Sequence, residues 1–154
     1  MAAMLLLAAM IAASAPAAEQ GAILKAAGFT RAGAKWHTDC DQPDSGDYGP
    51  GTIETYEDLN ADGRPEAVVT EGSTFCYGNT GTGFWLLSKQ ASGAWKVLYQ
   101  SQGMAEFLKT SGANKMPDIS VGGPGFCFLV VRWNGKEYVD NRFEYDGKPC
   151  KLPQ

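Results

Sequence analysis

The sequence predicts a mainly β domain, about seven antiparallel strands in a twisted sheet or small sandwich with one short N-terminal helix. Three observations carry that expectation. Gly accounts for 19 of the 154 residues, against a usual share of about 7%, which suits many tight turns between short strands. From Thr52 onward the apolar runs are short, rich in β-branched and aromatic residues, and separated by turn residues. Only residues 18–28 place apolar positions at helical spacing, so a helix bundle is excluded.

The elements follow in chain order. The first 17 residues, MAAMLLLAAMIAASAPA, contain no charge, no Gly and no aromatic. An apolar stretch of this length ending at Ala15-Pro16-Ala17 predicts a secretory signal peptide cut after Ala17, although no Lys or Arg precedes the apolar run. A membrane-spanning helix needs about 20 apolar residues, and Ser14, Pro16 and Glu19 interrupt this one. The expected organisation is a signal peptide over 1–17 and a single disulfide-bonded β domain over 18–154. In that domain Ile23, Leu24 and Ala27 share one face of a helix stopped by Gly28. Residues 31–51 read as a polar loop. Then come TIETYE, a nine-residue polar insert and AVVT, which together make a hairpin. FWLLSK and WKVLYQ flank QASGA as a second hairpin. GMAEFLKT is too short to assign to helix or strand. DISV reads as a strand, GGPG as a turn, and FCFLVVRW as a central strand apolar on both faces. Asn134-Gly135 suits a type I′ turn, because both residues tolerate positive φ, and a return strand runs over 136–145 to Asp146-Gly147.

Thirteen basic against 17 acidic residues give a net charge of −4 with no Lys/Arg cluster, which excludes the electrostatic footprint of a nucleic-acid or anionic-membrane binder. Four Cys in an exported chain predict two disulfides. Cys40, Cys76, Cys127 and Cys150 allow three pairings and lack the tight spacing of a zinc site. With Asn134-Gly135 as a two-residue turn, Cys127 falls opposite Arg142, so Cys127–Cys150 is disfavoured unless the chain doubles back at Asp146-Gly147. That register favours Cys76–Cys127 and Cys40–Cys150.

The polar insert carries the most specific chemistry. It reads Asp58-Leu59-Asn60-Ala61-Asp62-Gly63-Arg64-Pro65-Glu66, with side-chain oxygens at positions 1, 3, 5 and 9 and Gly at 6. Ca²⁺ takes six to eight hard oxygen ligands, and a loop that wraps it must reverse sharply midway. Asp58, Asn60 and Asp62 would ligate through side chains, Arg64 through its carbonyl, and Glu66 directly or through water. An EF-hand would place Glu at position 12 between helices, but Val69 stands there and the flanks read as strands. Through Asp58, Asn60, Asp62, Gly63 and Glu66 the loop resembles the calcium motif of FG-GAP and VCBS repeats, blades of β-propellers in which DxNxDGxx(D/E) joins two strands. More loosely, residues 52–145 resemble small exported bacterial proteins with a single DxNxDGxxE motif, a Cys-Tyr-Gly turn and a WNGxxY hairpin. The resemblance implies a fold and a structural Ca²⁺, not a reaction. One motif is too few for a closed propeller.

Weaker candidates surround it. His37, the only His, has Asp39, Asp41, Asp44 and Asp47 nearby and is a candidate general base or metal ligand; an enzyme would need it bonded to a carboxylate in a concave pocket. The Gly-rich segments 78–83 and 122–125 neither open a helix nor carry a P-loop Lys, so they read as turns. Trp36 and Tyr77, on loops, are the freer aromatic faces for a sugar or peptide. The functional expectation is an exported, periplasmic or secreted, non-enzymatic β domain with a structural calcium loop. It would act as a binding or envelope-associated module for a protein or glycan partner, without nucleic acid and without stable membrane insertion after signal cleavage. The alternatives are a small periplasmic hydrolase or lyase using His37 and nearby Asp residues, and an inhibitor of an envelope enzyme.

Overall fold

The computed structural model describes residues 13–40 and 46–153. Residues 1–12, most of the predicted signal peptide, lie outside them, as do Asp41 and Asp44. Helix α1 (Ala17–Ala26) starts after Pro16, whose missing N–H suits a helix start. Glu19 in its first turn and Lys25 in its last complement the helix dipole. It ends before Gly28, which takes a positive φ of 92°. Ile23, Leu24 and Ala27 are buried, as their spacing predicts. The predicted cut after Ala17 falls at the first residue of α1, and Ala15 is buried against the same core.

The molecule is mainly β. A small hairpin, β1 (Thr30–Ala32) and β2 (Lys35–His37), precedes two larger antiparallel sheets. The first runs β3 (Gly49–Glu57), β4 (Glu66–Gly72), β5 (Thr82–Lys89), β6 (Trp95–Gln102), in that order. The second consists of β7 (Met104–Ser111), β8 (Pro117–Gly122), β9 (Phe128–Trp133), β10 (Tyr138–Tyr145) and β11 (Lys148–Pro149), again side by side in sequence order. Gly103 alone separates β6 from β7.

Side-chain alternation assembles the layers. On β4 and β5, Ala67, Val69, Trp85 and Leu87 face α1 and pack with Ile23, Leu24 and Phe29. Val68, Phe84 and Leu86 face the other way, onto Ile119, Val131, Trp133 and Tyr138 of the second sheet. The order is therefore helix, sheet, sheet, with two cores sharing the walls of β4 and β5. Both strands are nearly continuous apolar runs because both of their faces are covered.

Several expectations are refined. GMAEFLKT is strand β7, its Phe107 packed into the inter-sheet core. The stretch read as loop from 31 holds β1 and β2, and Ser73–Gly81 holds a four-residue helix α2 (Thr74–Tyr77) followed by a 3-10 turn (Gly78–Thr80). Ser73 caps α2 by accepting the Cys76 N–H. The disulfide pairing differs from the favoured one: the bonds are Cys40–Cys76 and Cys127–Cys150, not Cys76–Cys127 and Cys40–Cys150. The chain does double back at Asp146-Gly147, where both residues take positive φ. The β10–β11 hairpin then carries Cys150 back until its N–H donates to the Phe143 carbonyl at 3.1 Å. That leaves Cys150 5.7 Å from Cys127, Cα to Cα, within disulfide range.

Candidate functional site

The insert from Asp58 to Pro65 connects β3 to β4, and the Glu57–Glu66 pair closes its base. It folds by side-chain-to-backbone hydrogen bonds, the local chemistry that favours Asp and Asn in turns. Asp58 Oδ1 and Asn60 Oδ1 both accept the Asp62 N–H, each at 3.2 Å. Asp58 Oδ2 accepts the Gly63 N–H at 2.7 Å, and Asp62 Oδ1 accepts the Arg64 N–H at 2.8 Å. Ala61 and Gly63 take φ of 60° and 85°, the sharp reversal expected at the middle of the loop.

The structure thus brings Asp58, Asn60 and Asp62 around one turn. Glu66 stands beneath them with its side chain buried. Its Oε1 accepts the Ser88 hydroxyl and its Oε2 the Leu59 N–H, both at 2.8 Å. Burial raises its pKa, the nearby Asp62 and Asp58 charges add to the rise, and the Leu59 and Ser88 hydrogen bonds oppose it. A direct ligand role for Glu66 would require exchanging those two bonds. Arg64 does more than its expected backbone part: its guanidinium donates to Asp62 Oδ2 at 2.7 Å and to the Lys89 carbonyl at 3.0 Å.

The donor set suits Ca²⁺ in chemistry, all oxygen and with two exposed carboxylates, and each oxygen keeps lone-pair capacity beyond its present hydrogen bond. Asp58, Asn60 and Asp62 would hold the ion with the Arg64 carbonyl, and its charge would offset the carboxylates. Among the described residues no group of three or more His, Cys, Asp or Glu side chains is clustered as a metal site.

His37 sits half-buried on β2, in a cavity shared with Asp39, Thr38 and Tyr77. Its Nε2 lies 3.5 Å from Thr30 Oγ1 and its Nδ1 3.2 Å from the Thr38 carbonyl, so among the described residues no carboxylate is bonded to it. Asp47 instead accepts the Thr74 N–H at 2.7 Å and the Thr74 hydroxyl, which pull its pKa down. Trp36 is half-buried against the helix-side core, with Arg31 6.0 Å above its ring.

Two buried acids escaped the sequence reading. Glu71 accepts the Thr38 N–H at 3.0 Å, the Thr38 and Tyr77 hydroxyls at 2.6 Å and the Tyr48 hydroxyl. Burial pushes its pKa up, but these four donors together hold it below the usual carboxylate range. Asp118 accepts Arg132 through both oxygens at 3.0 and 2.8 Å, Arg142 at 2.8 Å and Thr110 at 2.6 Å. The sequence marks them only as acids inside β-branched runs, EAVVTEG and PDISV, without their partners: on β4, period 2 puts Glu71 on the same face as Ala67 and Val69.

Comparison with protein-family models, curated proteins and solved structures gives no match to this chain.

Proposed function

We propose that the chain is an exported binding module of the periplasm or extracellular space, a disulfide-tied β-sandwich whose Asp58–Glu66 hairpin takes up a structural Ca²⁺ and whose partner is a protein or glycan. The observation that carries the reading is the convergence of Asp58 Oδ1 and Asn60 Oδ1 on the Asp62 N–H within an all-oxygen loop. Two disulfides support an oxidising compartment, and no described helix is long and apolar enough to cross a membrane. The bonding of His37 to Thr30 and Thr38 supports a binding module over a hydrolase.

Calcium at ten times its dissociation constant would stabilise the fold by about 1.4 kcal/mol, which for a domain of this size raises Tm by roughly 3–6 °C. Thermal melts with chelator, with Ca²⁺ restored, and of Asp62→Ala test this. The expected result is a lower Tm in chelator, recovery with Ca²⁺, and no response in the variant. Superimposable melts with and without chelator would retire the calcium site.

A further inference from the structure

The calcium-loop hairpin forms one wall of a cavity of about 560 Å³ at the open end of the sandwich. From the first sheet, Asn60, Arg64 and Gln90 reach its rim, with Lys96 beside Ser88 on adjacent strands. From the second sheet come Asn114, Trp133 and Lys136. Leu98 and Met116 complete the apolar part of the lining, between the two sheets. The lining is mainly polar, with Leu98, Met116 and Trp133 as its apolar minority; a concave site with several convergent polar groups suits a polar small ligand.

Its charge differs from that of the rest of the molecule. The chain carries a net −4, yet this cavity sets Arg64, Lys96 and Lys136 against a single lining carboxylate, Asp62. Asp62 is already matched by Arg64 at 2.7 Å. Neither Lys96 nor Lys136 makes an ion pair among the described residues, and both are exposed. Two unmatched ammonium groups facing one cavity call for an anion. Ser88 donates its hydroxyl proton to Glu66 at 2.8 Å, and the other uncharged polar lining is amide. Asn114 is exposed, and Gln90 uses its Nε2 on the Ser88 carbonyl at 3.1 Å, leaving its oxygen for another donor. Amides both donate and accept, which matches the hydroxyls of a sugar.

The backbone at the rim is also unusual. Four described non-Gly residues have positive φ, and three of them, Ala61, Asn114 and Lys115, lie in the two turns that face each other across this cavity. Asn accepts that conformation readily, whereas Ala and Lys do not. Strained turns held on opposite sides of a cavity are a feature of ligand clamps.

We propose that this cavity binds an anionic carbohydrate, a sugar carrying carboxylate groups, with Lys96 and Lys136 meeting the charge and Asn114 and Gln90 meeting hydroxyls. The inference rests on the binding-module reading and names the site and ligand class for it. Isothermal titration of the full exported domain with three probes tests it: an oligogalacturonate, a neutral galacto-oligosaccharide of equal length, and inorganic phosphate. Each titration is run with Ca²⁺ and with chelator. The expected result is saturable uronate binding at least about tenfold tighter than that of either control, weakened at least about tenfold in Lys96→Gln/Lys136→Gln. A Lys96→Arg/Lys136→Arg variant should retain binding, separating loss of charge from loss of fold. No uronate binding, equal binding of phosphate, or a Gln variant that binds as well as the original would each overturn the proposal. If uronate binds while the melts ignore chelator, only the calcium reading fails. If the melts respond to chelator and uronate does not bind, only this inference fails.

Discussion

Three carboxylates, Glu66, Glu71 and Asp118, are buried among the described residues, and each finds different partners. Glu66 has two neutral donors and two like charges nearby, so burial raises its pKa. Glu71 has four neutral donors, enough to overcome its burial. Asp118 has two guanidinium groups and a hydroxyl; burial pushes it up, but those donors hold it far below the usual carboxylate range. An acid with a depressed folded pKa contributes stability that is complete above its unfolded value, about pH 4, and lost as pH falls through the folded value. Asp118→Asn therefore should cost roughly 2–3 kcal/mol at pH 7, less than the about 3–5 kcal/mol for breaking a fully buried pair, because Arg132 and Arg142 stay partly solvated. Urea unfolding from pH 7 to pH 2 should show the gap between the original protein and the variant closing below pH 4. A gap that stays constant with pH would contradict this account. The Asp58–Glu66 turn was legible in sequence because its Asp and Asn side chains lie within nine residues of one another. These acids were not, since their partners come from strands and loops up to 33 residues away.

At the scale of elements, legibility followed length and covering. The strands β4 and β5 were legible because burial on both faces leaves an unbroken apolar run. β1, β2 and β11, two or three residues each, carry too little periodicity to stand out from turn-rich sequence. The disulfides turned on one such element. The expected two-residue type I′ turn at Asn134-Gly135 would put Cys127 opposite Arg142, but the connection spans residues 134–137, with Trp133 paired to Tyr138 and only Gly135 of the two at positive φ, and a bulge at Asn141 adds a further shift, so that Arg142 pairs with Val130. The short β11 then returns Cys150 to its partner. Removing this bond by Cys127→Ala/Cys150→Ala should cost about 3 kcal/mol in the loop-entropy model, measured by denaturant unfolding, and no measurable loss would refute it. Gly103 is the other decisive position. Its φ is 115°, its N–H donates to the Thr82 carbonyl at 2.8 Å, and a Cβ there would sit 2.1 Å from the Gly122 oxygen. Gly103→Ala should therefore destabilise the fold by roughly 2–4 kcal/mol, seen as a lower denaturant midpoint. An unchanged midpoint would show that the turn tolerates another conformation.

At the scale of the molecule, the sequence predicted either one twisted sheet or a small sandwich and could not choose between them. Alternation shows which side chains point inward on a strand, but not where one sheet stops and the next begins. That boundary rests on one residue, Gly103, whose conformation sends the chain from the edge of the first sheet to the edge of the second. The sandwich it creates has two unlike ends. The end with the 73–81 and 122–127 loops carries both disulfides, and Asp47 is bonded to Thr74 there. The opposite end carries the Asp58–Glu66 hairpin loop and the cavity lined by Arg64, Lys96 and Lys136. Sequence order therefore maps onto space in an uncommonly direct way. Every strand in both sheets hydrogen-bonds to the one before or after it in the chain. For a folding chain this means that each pairing closes only a short loop, at small entropic cost. Pairing between strands distant in sequence, which slows the folding of Greek-key sandwiches, is not needed within either sheet, and only the packing of one meander on the other, across a single glycine, is long-range.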